Sequence, residues 1–324
     1  MRLILTAENP APAGGVVTMV RAADGVTIRV ARWHPPGDSL GTVVICTGRA
    51  EFIEKYFETV GELLERHLTV VVFDWRGQGL SGRELSNRRK GHIDDFSLYE
   101  RDLEALAAQV LGPFCPRPWF ALAHSMGGAI LIAQSRAGRS PFARIVTTAP
   151  MIDLHGLRLP RLARLLAEAL DAAGLGAAFI PGGNARATMS RAFDGNVLTS
   201  DPRRFERFAG LMAADPEAMI GDPTIGWINA AFRLMGDFAD GEYPRLVLTP
   251  MLVFSAGEDR VVDSRAVERF AQRLKAGRVI AIPNARHEIL MERDSVRSQF
   301  WAAFDAFIPG SGAVDQPLAS SSIA

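Results

Sequence analysis

The sequence carries no excess charge of either sign: 36 basic residues balance 36 acidic ones in 324. No overall field therefore draws it to nucleic acid, and any charge-driven contact has to be local. Cysteine is scarce. Cys46 and Cys115 lie in or beside apolar strand-like runs with no metal spacing, so buried reduced thiols are expected rather than a disulfide. Six histidines include no pair with ligand spacing on a helix, so neither a catalytic metal nor any other cofactor is expected. Long apolar runs are missing too. The leading Met-Arg-Leu-Ile-Leu-Thr is far too short for a signal peptide, and no later segment approaches membrane-spanning length. The expectation is a soluble, cytoplasmic protein, at most peripheral to the inner face of a membrane. Its 48% hydrophobic content is ample for a sizeable core.

What is present is alternation. Val16 to Val20 and Val26 to Trp33 read as a hairpin around Ala23-Asp24-Gly25. Thr42 to Cys46, Leu68 to Phe73, Trp119 to Ala123 and Arg144 to Thr148 are short continuous apolar runs of the kind buried on both faces of a sheet. Helical patterns separate them, to about Glu65, from roughly Asp95 to Leu111, and from Met126 to about Gly138. Strands alternating with helices imply an α/β fold, a mostly parallel sheet covered on both faces, with ligands gathering beyond the carboxyl ends of the strands.

The alternation stops between residues 151 and 244. That segment shows an amphipathic helix (Leu159, Leu162, Leu165, Leu166, Leu170) and two helix starts marked by Asp201-Pro202 and Asp222-Pro223. It reads as a helical cap inserted into a core made of residues 1–150 and 245–309, where strands Met251 to Ser255 and Arg278 to Ile282 alternate with helices near Ser264 to Lys275 and Asp294 to Phe307. The small, polar residues 310–324 are expected to be disordered.

The apolar run from Trp119 breaks at Ser125 and resumes with helical period. A serine at so abrupt a strand-to-helix turn is a nucleophile elbow, its hydroxyl projecting from the end of the sheet. Small residues are needed two before and two after it, where Ala123 and Gly127 stand. The hydroxyl needs a base to take its proton, and the base needs a carboxylate partner. His287 follows the last strand; Asp259, with Glu258 beside it, follows the strand after the insertion. The order Ser, acid, His at successive strand ends suits this fold class. An oxyanion needs two amide donors. Met126 offers one, and the turn after Cys46 the other, at Arg49 with Gly48 allowing the bend. His124 should point away from Ser125 and serve packing; His34, His67 and His155 lack a matching context, and His92 reads as a loop tether.

Together these pieces resemble the α/β-hydrolase superfamily, and within it the monoacylglycerol lipase and bacterial lysophospholipase group. The resemblance rests on Thr47-Gly-Arg-Ala-Glu51 with Tyr56 downstream, Asp74-Trp-Arg-Gly-Gln-Gly-Leu-Ser81, His124-Ser-Met-Gly-Gly128, Ala149-Pro-Met-Ile-Asp153, Gly257-Glu-Asp259 and Ala285-Arg-His287. Within the insertion it extends to Asn196-Val-Leu-Thr-Ser-Asp201 and Asp222-Pro-Thr-Ile-Gly-Trp227. It implies a serine carboxylester hydrolase of monoacylglycerol or lysophospholipid, with Ser125, Asp259 and His287 as triad and the Arg49 and Met126 amides as oxyanion hole. Thr47 replaces the usual histidine of the His-Gly turn, leaving the backbone donor while altering what orients it. The implied partner is a lipid ester, not nucleic acid. Transient membrane contact through the cap is a further expectation, with Arg158, Arg161 and Arg164 on the face opposite the leucines. The leucines, Phe179, Ile180, Phe205, Phe208, Trp227, Ile228, Phe232, Leu234 and Met235 are expected either to line an acyl tunnel or to form the cap's own core. Two readings compete: a proline-iminopeptidase-like serine peptidase, with Glu217, Asp237 or Asp240 anchoring a free amine, and a non-catalytic binding protein on the same fold. An aspartate nucleophile, as in haloalkane dehalogenases and epoxide hydrolases, is disfavoured by the serine at the elbow.

Overall fold

In the computed structural model, residues 2–186 and 192–310 are described. The tail beyond Gly310, expected to be disordered, lies outside the described residues. The chain opens with the hairpin β1 (Val16–Arg21) and β2 (Thr27–Trp33), then β3 (Thr42–Cys46), a single 3-10 turn, α1 (Phe57–Glu65) and β4 (Thr69–Phe73). Next come α2 (Leu98–Leu106), the short α3 (Gly112–Phe114), β5 (Trp119–His124), α4 (Met126–Arg136) and β6 (Arg144–Thr148). After them follow α5 (Pro160–Leu170), α6 (Pro202–Ala214), α7 (Ile225–Phe238), β7 (Met251–Ala256), α8 (Ser264–Ala271), β8 (Gly277–Ile282) and α9 (Asp294–Phe307).

The eight strands make one sheet in the order β1-β2-β4-β3-β5-β6-β7-β8. Only β1 with β2 and β2 with β4 are antiparallel; β4 to β8 run parallel. Every residue of β3, β4 and β5 is buried, because helices cover both faces. Side chains alternate across the pleat. Val43 and Ile45 join α1 and α9 in one core, while Val44 and Cys46 join α2, α4 and α8 in the other. Cys46 and Cys115 are both buried and free.

The abrupt turn at Ser125 depends on how close α4 comes to the end of β3. A side chain on Gly127 would press into the carbonyl oxygen of Cys46 and sit 2.7 Å from that of Thr47. Only glycine lets the helix begin there. Ser125 itself adopts φ 48°, ψ −112°, a conformation costly for a residue with a Cβ, and the surrounding hydrogen bonds hold it there. Its amide donates to Thr148 O at 3.0 Å, and its carbonyl accepts from Ala129 and Met151.

Three local readings are corrected. The helix expected from Asp95 to Leu111 is regular only over Leu98–Leu106, and the next turn widens, with the Gly112 amide reaching back to Ala107 O; Pro113 has no N–H to continue the ladder. The helix expected at Asp222-Pro223 starts at Ile225, because the Thr224 side chain, not Asp222, accepts from the Trp227 amide and caps it. The leucine stripe of α5 faces outward. Leu159, Leu162, Leu165 and Leu166 are 50–64% exposed, and the helix turns Ala163 and Ala167 inward onto the core it shares with α7. These four leucines are thus neither tunnel lining nor cap core.

The segment between β6 and β7 is fastened to the loops at the strands' carboxyl ends. The Gly221 amide donates to Arg89 O, the Glu288 amide to Leu198 O, and the Thr199 hydroxyl to Met291 O. His92, the expected tether, holds Thr224 Oγ1 at 2.9 Å through Nδ1 and Asp94 at 3.0 Å through Nε2. Replacing Gly127 by valine should destabilise the fold by about 1–3 kcal/mol through overpacking against β3. A urea denaturation midpoint equal to that of the parent protein would contradict this account of the elbow.

Candidate active site

Three strand ends deliver three side chains to one place. Ser125 stands after β5, Asp259 in the turn after β7 and His287 in the loop after β8. His287 Nδ1 lies 2.8 Å from Asp259 Oδ2, and Nε2 lies 3.1 Å from Ser125 Oγ. A carboxylate only accepts, so Nδ1 carries the proton and Nε2 is left to accept from the serine hydroxyl. Asp259 is held ionised. Burial opposes its charge, but the His287 hydrogen bond and the amides of Val261 and Val262 outweigh it and keep its carboxyl below the usual range. Glu258 is exposed. A hydroxyl, imidazole and carboxylate so aligned can pass the hydroxyl proton to the ring as the oxygen attacks a carbonyl.

The turn after β3 is held from several sides. Trp75 Nε1 donates to Thr47 O at 2.8 Å; Gln78 Nε2 donates to Gly48 O at 2.8 Å, and Gln78 Oε1 accepts from the Ala50 amide at 3.2 Å. The Glu51 carboxylate takes the Gly48 amide. Among the described residues the amides of Arg49 and Met126 donate to no acceptor, the condition for two donors kept free for a substrate oxygen. Sequence reasoning matched the Asp74–Ser81 segment to a family pattern but assigned it no task. Its Gln78 and Trp75 fix the turn, and its Asp74 is itself anchored by Arg29, whose guanidinium also grips Glu54 with both ends of the fork.

Behind His287 lies a buried charged cluster that the sequence reading also missed. Lys55 Nζ lies 2.6 Å from both Glu51 and Glu288, and Tyr56 donates its hydroxyl to Glu51 at 2.6 Å. Burial works against the Glu51 charge, yet Lys55, His124 and Tyr56 bring its pKa down to about 2. Burial raises that of Glu288, aided by the neighbouring Glu51 charge. The available signal was the spacing of Glu51, Lys55 and Tyr56 on one turn; what it could not indicate was that Glu288 arrives from the other end of the chain.

His124 keeps clear of Ser125 but is more than packing. Its ring centroid is 4.7 Å from that of His287, and its Nδ1 donates to Thr148 O at 3.1 Å. Burial lowers its pKa to about 4, so a neutral ring backs His287. Next to the serine is a cavity of about 270 Å³ whose walls include Gly48, Arg49, Ser125, Leu198, Phe205 and His287. Of the aromatic residues expected to line a tunnel, Phe205 does. Phe208 packs on Phe52, and Trp227, Phe232, Leu234 and Met235 belong to the main core. Glu217, Asp237 and Asp240 all lie away from this cavity; Glu217 pairs with Arg88 at the surface.

The sheet, the strained serine and the hydrogen-bonded histidine define a serine hydrolase of the α/β-hydrolase fold. The family model described as "Serine aminopeptidase, S33" matches residues 37–294, and the chain belongs to that family. It is 34% identical over 290 residues to lysophospholipase L2 of Escherichia coli strain K12, covering 85% of this chain and 82% of that one. It is 25% identical over 246 residues to the monoglyceride lipase of Rattus norvegicus, covering 75% and 73%. Among solved structures, a soluble variant of the Saccharomyces cerevisiae monoglyceride lipase superposes with a TM-score of 0.70 at 19% identity, over 90% of this chain and 95% of the other. A carboxyl esterase from Bacillus coagulans gives 0.73 at 17% identity, over 92% and 99%.

In an NMR titration the His124 imidazole should stay neutral until the pH nears 4. The unfolded chain takes up that proton near the ordinary value of 6.5, so it binds more protons than the folded one in between. Stability should therefore rise with pH across this window and be lost as pH falls through it. A His124 resonance titrating near 6.5 would show that the ring is not shielded as described.

Proposed function

We propose that the protein hydrolyses the carboxylic ester of single-chain lipids, monoacylglycerol or lysophospholipid, through an acyl-enzyme on Ser125. The observation that carries this reading is the pair of hydrogen bonds made by one ring, His287 to Ser125 at 3.1 Å and to Asp259 at 2.8 Å. His287 takes the serine proton as Oγ adds to the ester carbonyl. The growing oxyanion is met by the amides of Arg49 and Met126 at the start of α4, where the helix dipole favours negative charge. His287 then returns the proton to the departing glycerol oxygen. In the second half it takes a proton from water, whose oxygen attacks the acyl carbonyl; the bond from that carbon to Ser125 Oγ then breaks, His287 returns the proton to Oγ, and the fatty acid leaves.

A lipid ester rather than a peptide is favoured by the kind of relatives found and by the cavity beside Ser125. Its carboxylates, Glu51 and Glu288, are both engaged by Lys55 and leave no free anion for an α-amine. The insertion covers this cavity as a cap, with Leu198 and Phe205 giving it an apolar wall. No helix among the described residues is long and apolar enough to cross a membrane. The outward leucines of α5 supply a different contact. Leu159, Leu162, Leu165 and Leu166, with Leu175 beyond the helix and the exposed Arg158 and Arg161, which lie one turn from Leu162 and Leu165 and not on the opposite face as expected, form the apolar and basic face of a helix that rests on a lipid surface. Arg164 is partly committed elsewhere, 3.8 Å from Asp153. The cytoplasmic, membrane-peripheral location expected from the sequence belongs to the same reading.

Replacing Ser125 by alanine should lower turnover of p-nitrophenyl butyrate by on the order of 10⁴-fold or more and abolish labelling by a fluorophosphonate, with the thermal midpoint preserved. Substantial activity in the variant, or an unreactive serine in the parent protein, would refute the acyl-enzyme. A prolyl amide should be a far poorer substrate than a monoacylglycerol. Changing Leu162 and Leu166 together to serine should cut co-sedimentation with anionic vesicles roughly tenfold; unchanged vesicle binding would remove α5 as the contact.

A further inference from the structure

We infer that Glu84, His92 and Asp94 hold a zinc ion that pins the loop between β4 and α2 against the start of α7. One imidazole and two carboxylates converge there, with a ligand atom from each within 4.8 Å of the others. His92 Nε2 lies 3.0 Å from Asp94 Oδ1. Nitrogen and oxygen ligands on one tetrahedral zinc ion stand roughly 3.4 Å apart, so this pair already has the spacing of two ligands on a shared ion, and a turn of the Glu84 side chain supplies the third. All three residues lie in the loop between β4 and α2 rather than on a helix, which is why paired-histidine spacing gives no sign of them.

The ring is set in advance. His92 is buried, and its Nδ1 lies 2.9 Å from Thr224 Oγ1. A side chain on Gly226 would come within 2.7 Å of His92 Cε1, so the ring packs directly on the first turn of α7. A metal-bound histidine keeps its orientation and tautomer when the nitrogen that does not bind the metal donates to a protein acceptor. Thr224 Oγ1 can fill that role: it accepts from the Trp227 amide and has a second lone pair for Nδ1–H. Nε2 faces Asp94, whose side chain is 76% exposed, and the Glu84 side chain is 24% exposed. An ion and the water that completes its shell can therefore enter from solvent.

The local charge calls for a cation. A proton on Nε2 satisfies one carboxylate, and two are present. Arg76 stands 4.0 Å from Glu84 and is held at 2.7 Å by both Asp102 and Asp24. A doubly charged ion that takes imidazole and carboxylate ligands offsets both acids at once. None of the three residues lines the cavity beside Ser125, so the ion is structural and independent of the chemistry there. If His92 and Asp94 were only a hydrogen-bonded pair, Glu84 would have no bearing on zinc affinity.

The test uses the full chain, stripped with a chelator and dialysed, and Zn²⁺ alone as the probe. Calorimetric titration should give one ion per chain, and saturation should raise the thermal midpoint. Glu84→Gln and Asp94→Asn should each weaken the affinity at least tenfold, since losing even an outer-shell partner of a metal ligand costs that much. No stoichiometric binding, or an unchanged affinity in Glu84→Gln, overturns the proposal. A second measurement needs no substitution and decides the matter even if a variant fails to fold. Co²⁺ in place of zinc should shift the ring resonances of His92 more strongly than those of His287; the reverse order would put the ion at the triad and overturn the site at His92.

Discussion

The backbone of α4 nearly touches the end of β3, and the rest of the site follows from that contact. Because Gly127 has no side chain, the helix can start directly beside the Cys46 and Thr47 carbonyls. That proximity forces Ser125 into its positive-φ turn and brings the Met126 amide alongside the turn that carries Arg49. Strain at one residue is tolerated because the hydrogen bond from the Ser125 amide to Thr148 O and those its carbonyl accepts from Ala129 and Met151 over-determine its position. A looser junction would bring the hydroxyl to no particular direction and the two amides to no common point.

Buried charge does the same work for the loops. Loops at the strand ends have no ladder to hold them, and here their amides and carbonyls are taken up by acids and amides from elsewhere in the fold. Asp74 receives the Ile53 and Leu80 amides while paired with Arg29. Glu51 receives Gly48 while paired with Lys55. Such pairs gain little net stability against an apolar alternative. Their value is geometric: each fixes the direction of a backbone group within hydrogen-bonding distance of its neighbours. Lys55 joins the turn after β3 to the residue after His287 through Glu51 and Glu288, so the two halves of the site share one anchor.

The segment between β6 and β7 has two sides: one turns Phe205 and Leu198 toward the cavity, and the outer side of α5 presents leucines to the surroundings. A helix that buries alanines and exposes leucines is inverted relative to the usual amphipathic surface helix. The segment between β6 and β7 is linked to the turn after β3 through Arg49 and Gly221, and to the loop before α2 through His92 and Thr224.

Local pattern was enough to place the sheet strands, the strand-to-helix break at Ser125, the interrupted alternation between residues 151 and 244, and the order of serine, acid and histidine, since each is written in period, small residues and turn chemistry within a few positions. Periodicity also located α5, but period is blind to direction: it revealed a leucine stripe without saying whether that stripe met protein or surroundings. The start of α7 went astray because two capping signals, Asp222 before proline and Thr224, lie within one turn and only the Trp227 amide chooses between them. Left wholly to the tertiary structure were the pairings between distant residues: Lys55 with Glu288, Gln78 with Gly48 and Arg49 with Gly221. A linear chain states which groups it owns; which of them meet in a low-dielectric interior depends on the folded path of the backbone, and that meeting is what brings Ser125, His287 and Asp259 within hydrogen-bonding distance of one another.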